Sequence, residues 1–67
     1  MKILLNNREE YFDKESLTIN ELLLLKKLSF RLRIVKINGT LIQKDSYDNT
    51  YIKNDDNVQI LYLMSGG

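Results

Sequence analysis

The residues of this 67-residue chain whose type and spacing suggest chemistry are the last three, Ser65-Gly66-Gly67. Two of the chain's three glycines stand there. With glycine at about 7% of average usage, a chance terminal pair is expected in about 0.5% of chains. Glycine has the largest ordering cost of any residue and nothing to pack, so residues 65–67 are expected to extend from the domain as a flexible tail. A carboxylate on a bare Gly-Gly tail can enter a narrow active site on another protein, because no Cβ obstructs approach to the reacting carbon. The side chains elsewhere offer little chemistry of their own. Cysteine and histidine are both absent, which excludes thiol nucleophiles, imidazole acid–base catalysis, disulfides and the usual zinc ligands. Asp55 and Asp56 are adjacent acids in a turn-rich stretch, without the spacing of a cation loop, and read as a solvated turn.

A tail of this kind must be presented by a strand. Val58, Ile60 and Tyr62 alternate with Gln59, Leu61 and Leu63, the period of a β-strand with one buried face. If the first set turns toward the core, Leu61 and Leu63 face away from it. The rest of the chain divides into elements able to frame that strand. Met1, Ile3 and Leu5 share one face of a first strand, which leaves Leu4 on the other, and Asn6-Asn7-Arg8 forms a turn into a second strand over residues 9–12. Thr18 and Glu21 have the spacing of a capping box, flanked by Leu17 and Leu22 as a hydrophobic staple, so a helix starts at Ile19. Its core stripe is Ile19, Leu22 and Leu23, continued by Lys26, whose stem covers the core edge while its ammonium reaches water. Leu24 and Leu28 lie off that stripe and are expected to be buried at its edge.

A third strand covers residues 33–38, with Val35 and Ile37 on one face and Ile34 and Lys36 on the other. Asn38-Gly39 marks a turn, Leu41 and Ile42 a brief edge strand, residues 44–49 a polar turn anchored by Tyr47, and Tyr51-Ile52 a return of the chain. One helix between two strand pairs predicts an α+β domain over residues 1–64, a β-grasp or ubiquitin-like fold. In it the helix packs on one face of a mixed sheet, and the first and last strands are parallel neighbours at its centre.

Size and charge agree with a small folded domain. Ten Lys and Arg against nine Asp and Glu, with signs interspersed, suggest neither a nucleic-acid groove nor a membrane surface. The opening apolar run is too short for a signal peptide, and no stretch is long enough to span a bilayer, so the cytoplasm is the expected compartment.

In this order the pieces resemble a family, the small bacterial ubiquitin-like sulfur carriers of the ThiS and MoaD type, and most closely its thiamin-biosynthesis members. The resemblance rests on Met-Lys-Ile-Leu-Leu-Asn at the start, Thr18-Ile19-Asn20-Glu21-Leu22-Leu23, Val35-Lys36-Ile37-Asn38, the stretch with Tyr47, the turn with Asp56, and Gly66-Gly67. The chain departs from the family where Gln43 replaces a frequent proline, Asp55 a glycine and Lys26 an apolar residue. The resemblance implies a carrier rather than an enzyme. An ATP-using, ubiquitin-activating-like adenylyltransferase would adenylate the Gly67 carboxylate, and a cysteine-desulfurase relay would supply sulfur to make a thiocarboxylate. Thiazole synthase would then accept that sulfur. No cofactor or metal is expected on the chain, which would be a monomer when free. Leu4, Ile34, Leu61 and Leu63 are expected to form one apolar docking patch on the helix-free face, at the root of the tail. The small subunit of molybdopterin synthase, a protein-conjugating modifier and a purely binding β-grasp module are the alternatives.

Overall fold

The computed structural model describes residues 1–28 and 33–62. The proposed 65–67 tail and Leu63 lie outside that range. Strands β1 (Lys2–Leu5) and β2 (Arg8–Tyr11) form a hairpin in which Leu5 pairs with Arg8. The two residues between them, Asn6 and Asn7, have φ of 51° and 69°. Both central positions are therefore left-handed, the geometry whose twist matches that of the flanking strands, and asparagine is among the few side chains that tolerate it. Asn38 and Gly39 repeat the device, with φ of 52° and 84°, between β4 (Arg33–Ile37) and β5 (Thr40–Ile42).

Helix α1 (Ile19–Leu25) begins where the capping box places it. The Thr18 hydroxyl accepts from the Glu21 N–H at 3.1 Å, and the Glu21 carboxylate accepts from the Thr18 N–H at 2.8 Å. The N–H groups of Ile19 and Asn20 donate to the carbonyls of Thr50 and Tyr47, so the first turn's donors, which no helix can satisfy internally, all have partners. Ile19, Leu22 and Leu23 are buried, as the stripe predicts. The Lys26 ammonium, expected in water, instead meets the Glu10 carboxylate at 3.0 Å, both groups being half-buried. Beyond it Lys27 takes a left-handed φ of 56°. The Leu28 N–H returns to the Leu23 carbonyl and the Lys27 N–H to that of Leu24, a Schellman ending with lysine where glycine is usual. This turn folds Leu28 against the core. Leu24 is the exception to the expected edge burial: it is 78% exposed, because a seven-residue helix about 10 Å long covers little sheet and none of the described residues covers its outer side.

The main sheet has the order β2-β1-β7-β4-β5, with β7 (Asn57–Tyr62) at its centre. Strands β1 and β7 are parallel, as predicted, while β4 runs antiparallel to β7. Two short strands not anticipated from the sequence, β3 (Ser16–Thr18) and β6 (Tyr51–Lys53), pair antiparallel and set Leu17 opposite Ile52, both fully buried. A 3-10 turn over Lys44–Ser46 leads to Tyr47, which is buried and anchors that segment. Ile3, Leu5, Val35, Val58 and Ile60 close the core from the sheet side. Burying apolar side chains of this size contributes about 1.5–3 kcal/mol each, which is how so short a chain holds one fold. Tyr62 does not follow Val58 and Ile60 inward. It is 36% exposed, where Val58 and Ile60 are buried.

The turn before β7 is built from asparagines and aspartates. Asp55 has φ of 72°, the left-handed position for which a glycine is usual. Asn38 binds the turn from the neighbouring hairpin: its Nδ2 donates to Asp56 at 3.0 Å and its Oδ1 accepts from the Asn57 N–H at 2.9 Å. The start of the central strand is thereby fixed to the β4–β5 turn. Among the described residues, no helix is long and apolar enough to cross a membrane.

Candidate functional site

The candidate site is the far end of β7, the last described part of the chain before Gly66 and Gly67 in the sequence. Pairing along β7 sets Leu61 directly opposite Ile34 and Tyr62 opposite Arg33. Val58 and Ile60 face the helix and are buried, so Leu61 faces away from it; it is 46% exposed, and Ile34 is half-buried beside it. The strand register is therefore the one that puts leucine on the open face.

Leu4 also faces that side and is 37% exposed. It is not part of the same patch, because it lies level with Asn57, four residues before Leu61 on β7. At about 3.3 Å per residue the offset along the sheet is about 13 Å, and it is occupied by the Gln59–Lys36 pair. Leu4 belongs instead with Lys2 and Glu9, whose side chains lie 3.6 Å apart. The side chain that does extend the Ile34–Leu61 pair is Leu41, half exposed on β5 and paired with Lys36, on the diagonal from Ile34. Its signal in the sequence was the alternation within Thr40-Leu41-Ile42, weak in so short a strand. Leu63, Gly66 and Gly67, the remaining candidate residues, lie outside the described range.

Acid–base chemistry has little support here. Among the described residues, the one group whose titration is clearly displaced is Glu21, held below the ordinary glutamate value of 4.5 by the Thr18 backbone N–H and then by the Thr18 hydroxyl. That is a capping interaction, remote from β7. No group of three or more His, Cys, Asp or Glu suited to a metal ion occurs among the described residues.

A mixed sheet with parallel first and last strands side by side, one capped helix across it and the central strand leading into a Gly-Gly sequence defines a ubiquitin-like β-grasp protein. The model of the ThiS family matches residues 2–67, so the chain belongs to the ThiS family. It is similar to the crystal structure of the thiamine biosynthesis protein ThiS from Geobacter metallireducens, with a TM-score of 0.90 and 33% identity over 100% of both chains. A solution NMR structure of a thiamine biosynthesis protein from the same organism superposes with a TM-score of 0.80 at 33% identity, covering 100% of this chain and 88% of that one. Comparison with curated proteins gave no match.

Proposed function

We propose that this protein is a sulfur carrier for thiamin biosynthesis, with the Gly67 carboxylate as the group that carries sulfur. The observation that carries the reading is that the family match runs through Gly66 and Gly67. In the proposed cycle the carboxylate attacks the α-phosphorus of ATP on an adenylyltransferase, pyrophosphate leaves and an acyl adenylate forms. The outer sulfur of a persulfide on a cysteine-desulfurase relay then attacks the acyl carbon, AMP departs with the carboxyl oxygen, and a thiol reductant cleaves the resulting acyl disulfide to release the relay cysteine as a mixed disulfide. The product is a thiocarboxylate, from which thiazole synthase takes sulfur for the thiazole ring. Adenylation supplies a good leaving group where the carboxylate has none, and the acyl bond keeps the sulfur nucleophilic but attached. Every catalytic group in this cycle belongs to a partner, so the chain acts as a cosubstrate. The pair of exposed Leu61 and half-buried Ile34, one residue from the last described position of β7, is the surface proposed to dock those partners, since a short peptide offers too little area to be recognised alone.

The test is intact mass after incubation with the adenylyltransferase, ATP and a sulfur source. The expected result is a gain equal to the difference between sulfur and oxygen, located at Gly67, and absent when residues 66–67 are deleted. Adenylation that persists in the deletion variant would overturn the assignment. Conversion to an isopeptide-linked product would identify a conjugating modifier instead.

A further inference from the structure

The Asn38-Gly39 turn between β4 and β5 holds a reactive pair that the sulfur chemistry does not use. Of the seven asparagines in the chain, only Asn38 precedes a glycine. Both residues are exposed, and a Cβ placed on Gly39 would meet no atom within 4 Å, so the space beside the Gly39 backbone is open. An asparagine in that setting is subject to deamidation. The Gly39 backbone nitrogen attacks Asn38 Cγ, the new N–C bond closes a five-membered succinimide, and Nδ2 leaves as ammonia with the proton that the Gly39 nitrogen gives up. Water then opens the ring at Cγ to give aspartate, or at the backbone carbonyl to give isoaspartate, whose main chain runs through Cβ and Cγ. Water enters, ammonia leaves and nothing is oxidised or reduced.

The fold holds this reaction back. Asn38 Nδ2 donates to Asp56 at 3.0 Å and Oδ1 accepts from the Asn57 N–H at 2.9 Å, so both amide atoms are tied to the segment that begins β7. The Asn38 N–H donates to the Asn57 carbonyl at 2.8 Å, which fixes the backbone as well. Ring closure requires the Gly39 nitrogen to swing beside Asn38 Cβ. An extended backbone allows that arrangement, and the left-handed one that Asn38 adopts, with φ of 52°, does not. The products cannot take the same place. Aspartate at position 38 has no donor for Asp56 and sets one carboxylate against another. Asp56 cannot turn away freely, because its second oxygen accepts from the Lys53 N–H at 2.8 Å. Isoaspartate adds a backbone carbon to a two-residue turn and misaligns β4 with β5.

We propose that Asn38 is a deamidation site gated by its bridge to β7: it is protected while its amide spans Asp56 and Asn57, is converted to aspartate or isoaspartate when that bridge opens, and cannot re-form the bridge afterwards. The modification is one-way, and it accumulates in copies whose β4–β5 turn has separated from the start of the central strand. It is independent of the sulfur-carrier reading, since it needs only water and lies at the opposite end of β7 from the candidate site.

The experiment incubates the protein in mildly alkaline buffer and follows the tryptic peptide 37–44, in which Asn38 is the only asparagine, by mass spectrometry, with isoaspartate assayed by enzymatic methylation. When opening and closing are fast relative to conversion, the rate tracks the population of the open form. The folded wild type is expected to convert at least about tenfold more slowly than the same chain in guanidinium. Asp56→Ala, which frees Nδ2, should convert at least about fivefold faster than the folded wild type. Circular dichroism verifies that this variant is folded, and the guanidinium comparison decides the gating if it is not. Asn38→Asp, the product itself, should show a lower thermal midpoint and faster hydrogen exchange at the Asn57 amide. Equal rates in buffer and in guanidinium would overturn the gating, and no conversion in guanidinium would overturn the site. An Asn38→Asp variant with the wild-type midpoint and wild-type protection at Asn57 would overturn the one-way step.

Discussion

Asn6 lies alongside Ile60 as though it were one more residue of strand. Its side-chain Oδ1 accepts from the Ile60 N–H at 2.8 Å and its Nδ2 donates to the Ile60 carbonyl at 3.2 Å. Its own backbone N–H reaches the Val58 carbonyl at 2.9 Å, the last rung of the parallel β1–β7 ladder. The hairpin turns away at this point, so the amide side chain takes the place of a backbone that has already left. Central-strand pairing is thus carried two residues closer to the tail than β1 itself extends.

Asn6→Gly is expected to cost about 1–2 kcal/mol, because glycine keeps the left-handed turn but leaves both Ile60 groups without their partner. Asn6→Ala should cost about 1 kcal/mol more, since alanine also resists a φ of 51°. Urea denaturation measures both, and hydrogen exchange at the Ile60 amide should accelerate in each. Equal stability of the two variants would mean that the turn conformation contributes nothing.

The capping box should make part of the stability depend on pH. Glu21 is held below its ordinary value of 4.5 by bonds that exist only in the folded chain. A carboxylate with a depressed folded pKa contributes stability that is fully present above its unfolded pKa and is lost as pH falls through the folded one. The wild type should therefore exceed Glu21→Gln in thermal midpoint at about pH 6, and that advantage should shrink as pH falls below 4.5 and through the lowered folded value. Thr18→Ala removes the other half of the box and should cost about 1 kcal/mol at neutral pH. A wild-type advantage over Glu21→Gln that does not change with pH would rule out this account.

These elements differ in how legible they were. The box was readable because both of its partners lie within four residues, and the Asn-Asn and Asn-Gly turns because few residue types accept a left-handed backbone. The helix-facing set of β7 followed from period alone. What could not be read was the offset between strands. Nothing in the sequence of β1 or β7 states that Leu4 lies level with Asn57 rather than Leu61, so a patch inferred from face assignment merged two separate places. The β3–β6 pair was missed because three-residue strands show no period. Edge burial was expected of Leu24 and Leu28 alike; the turn at Lys27 brings Leu28 to the core, while Leu24, on the helix itself, stays exposed.

Lys27→Gly should stabilise the domain by about 0.5 kcal/mol or more. Glycine relieves the left-handed strain at the helix end, while the flexibility it adds to the unfolded chain offsets part of the gain. Chemical denaturation is the measurement. A loss of stability would show that the lysine stem packs strongly enough to outweigh the strain.

Leu61→Asp and Ile34→Asp separate docking from folding. Leu61 is well exposed, so its aspartate variant should lose less than about 1 kcal/mol; Ile34 is half-buried and should lose more. Both are expected to weaken binding to the adenylyltransferase by at least about tenfold in isothermal titration. Leu4→Asp, beside the Lys2–Glu9 pair, should bind nearly as the wild type does. Comparable loss in all three variants would mean that the partner covers the whole sheet face.

The central position of β7 also governs when the molecule can exist at all. Strands β1 and β4 both pair with it, and until residues 57–62 have left the ribosome neither has its inner neighbour. A nascent chain that stops short of Asn57 holds two apolar strands with open edges and no means of joining them, a state prone to association and slow to resolve. Folding must therefore wait until β7 has been made. Gly66 and Gly67 follow β7 in the sequence, so any enzyme that requires the folded domain will pass over incomplete copies.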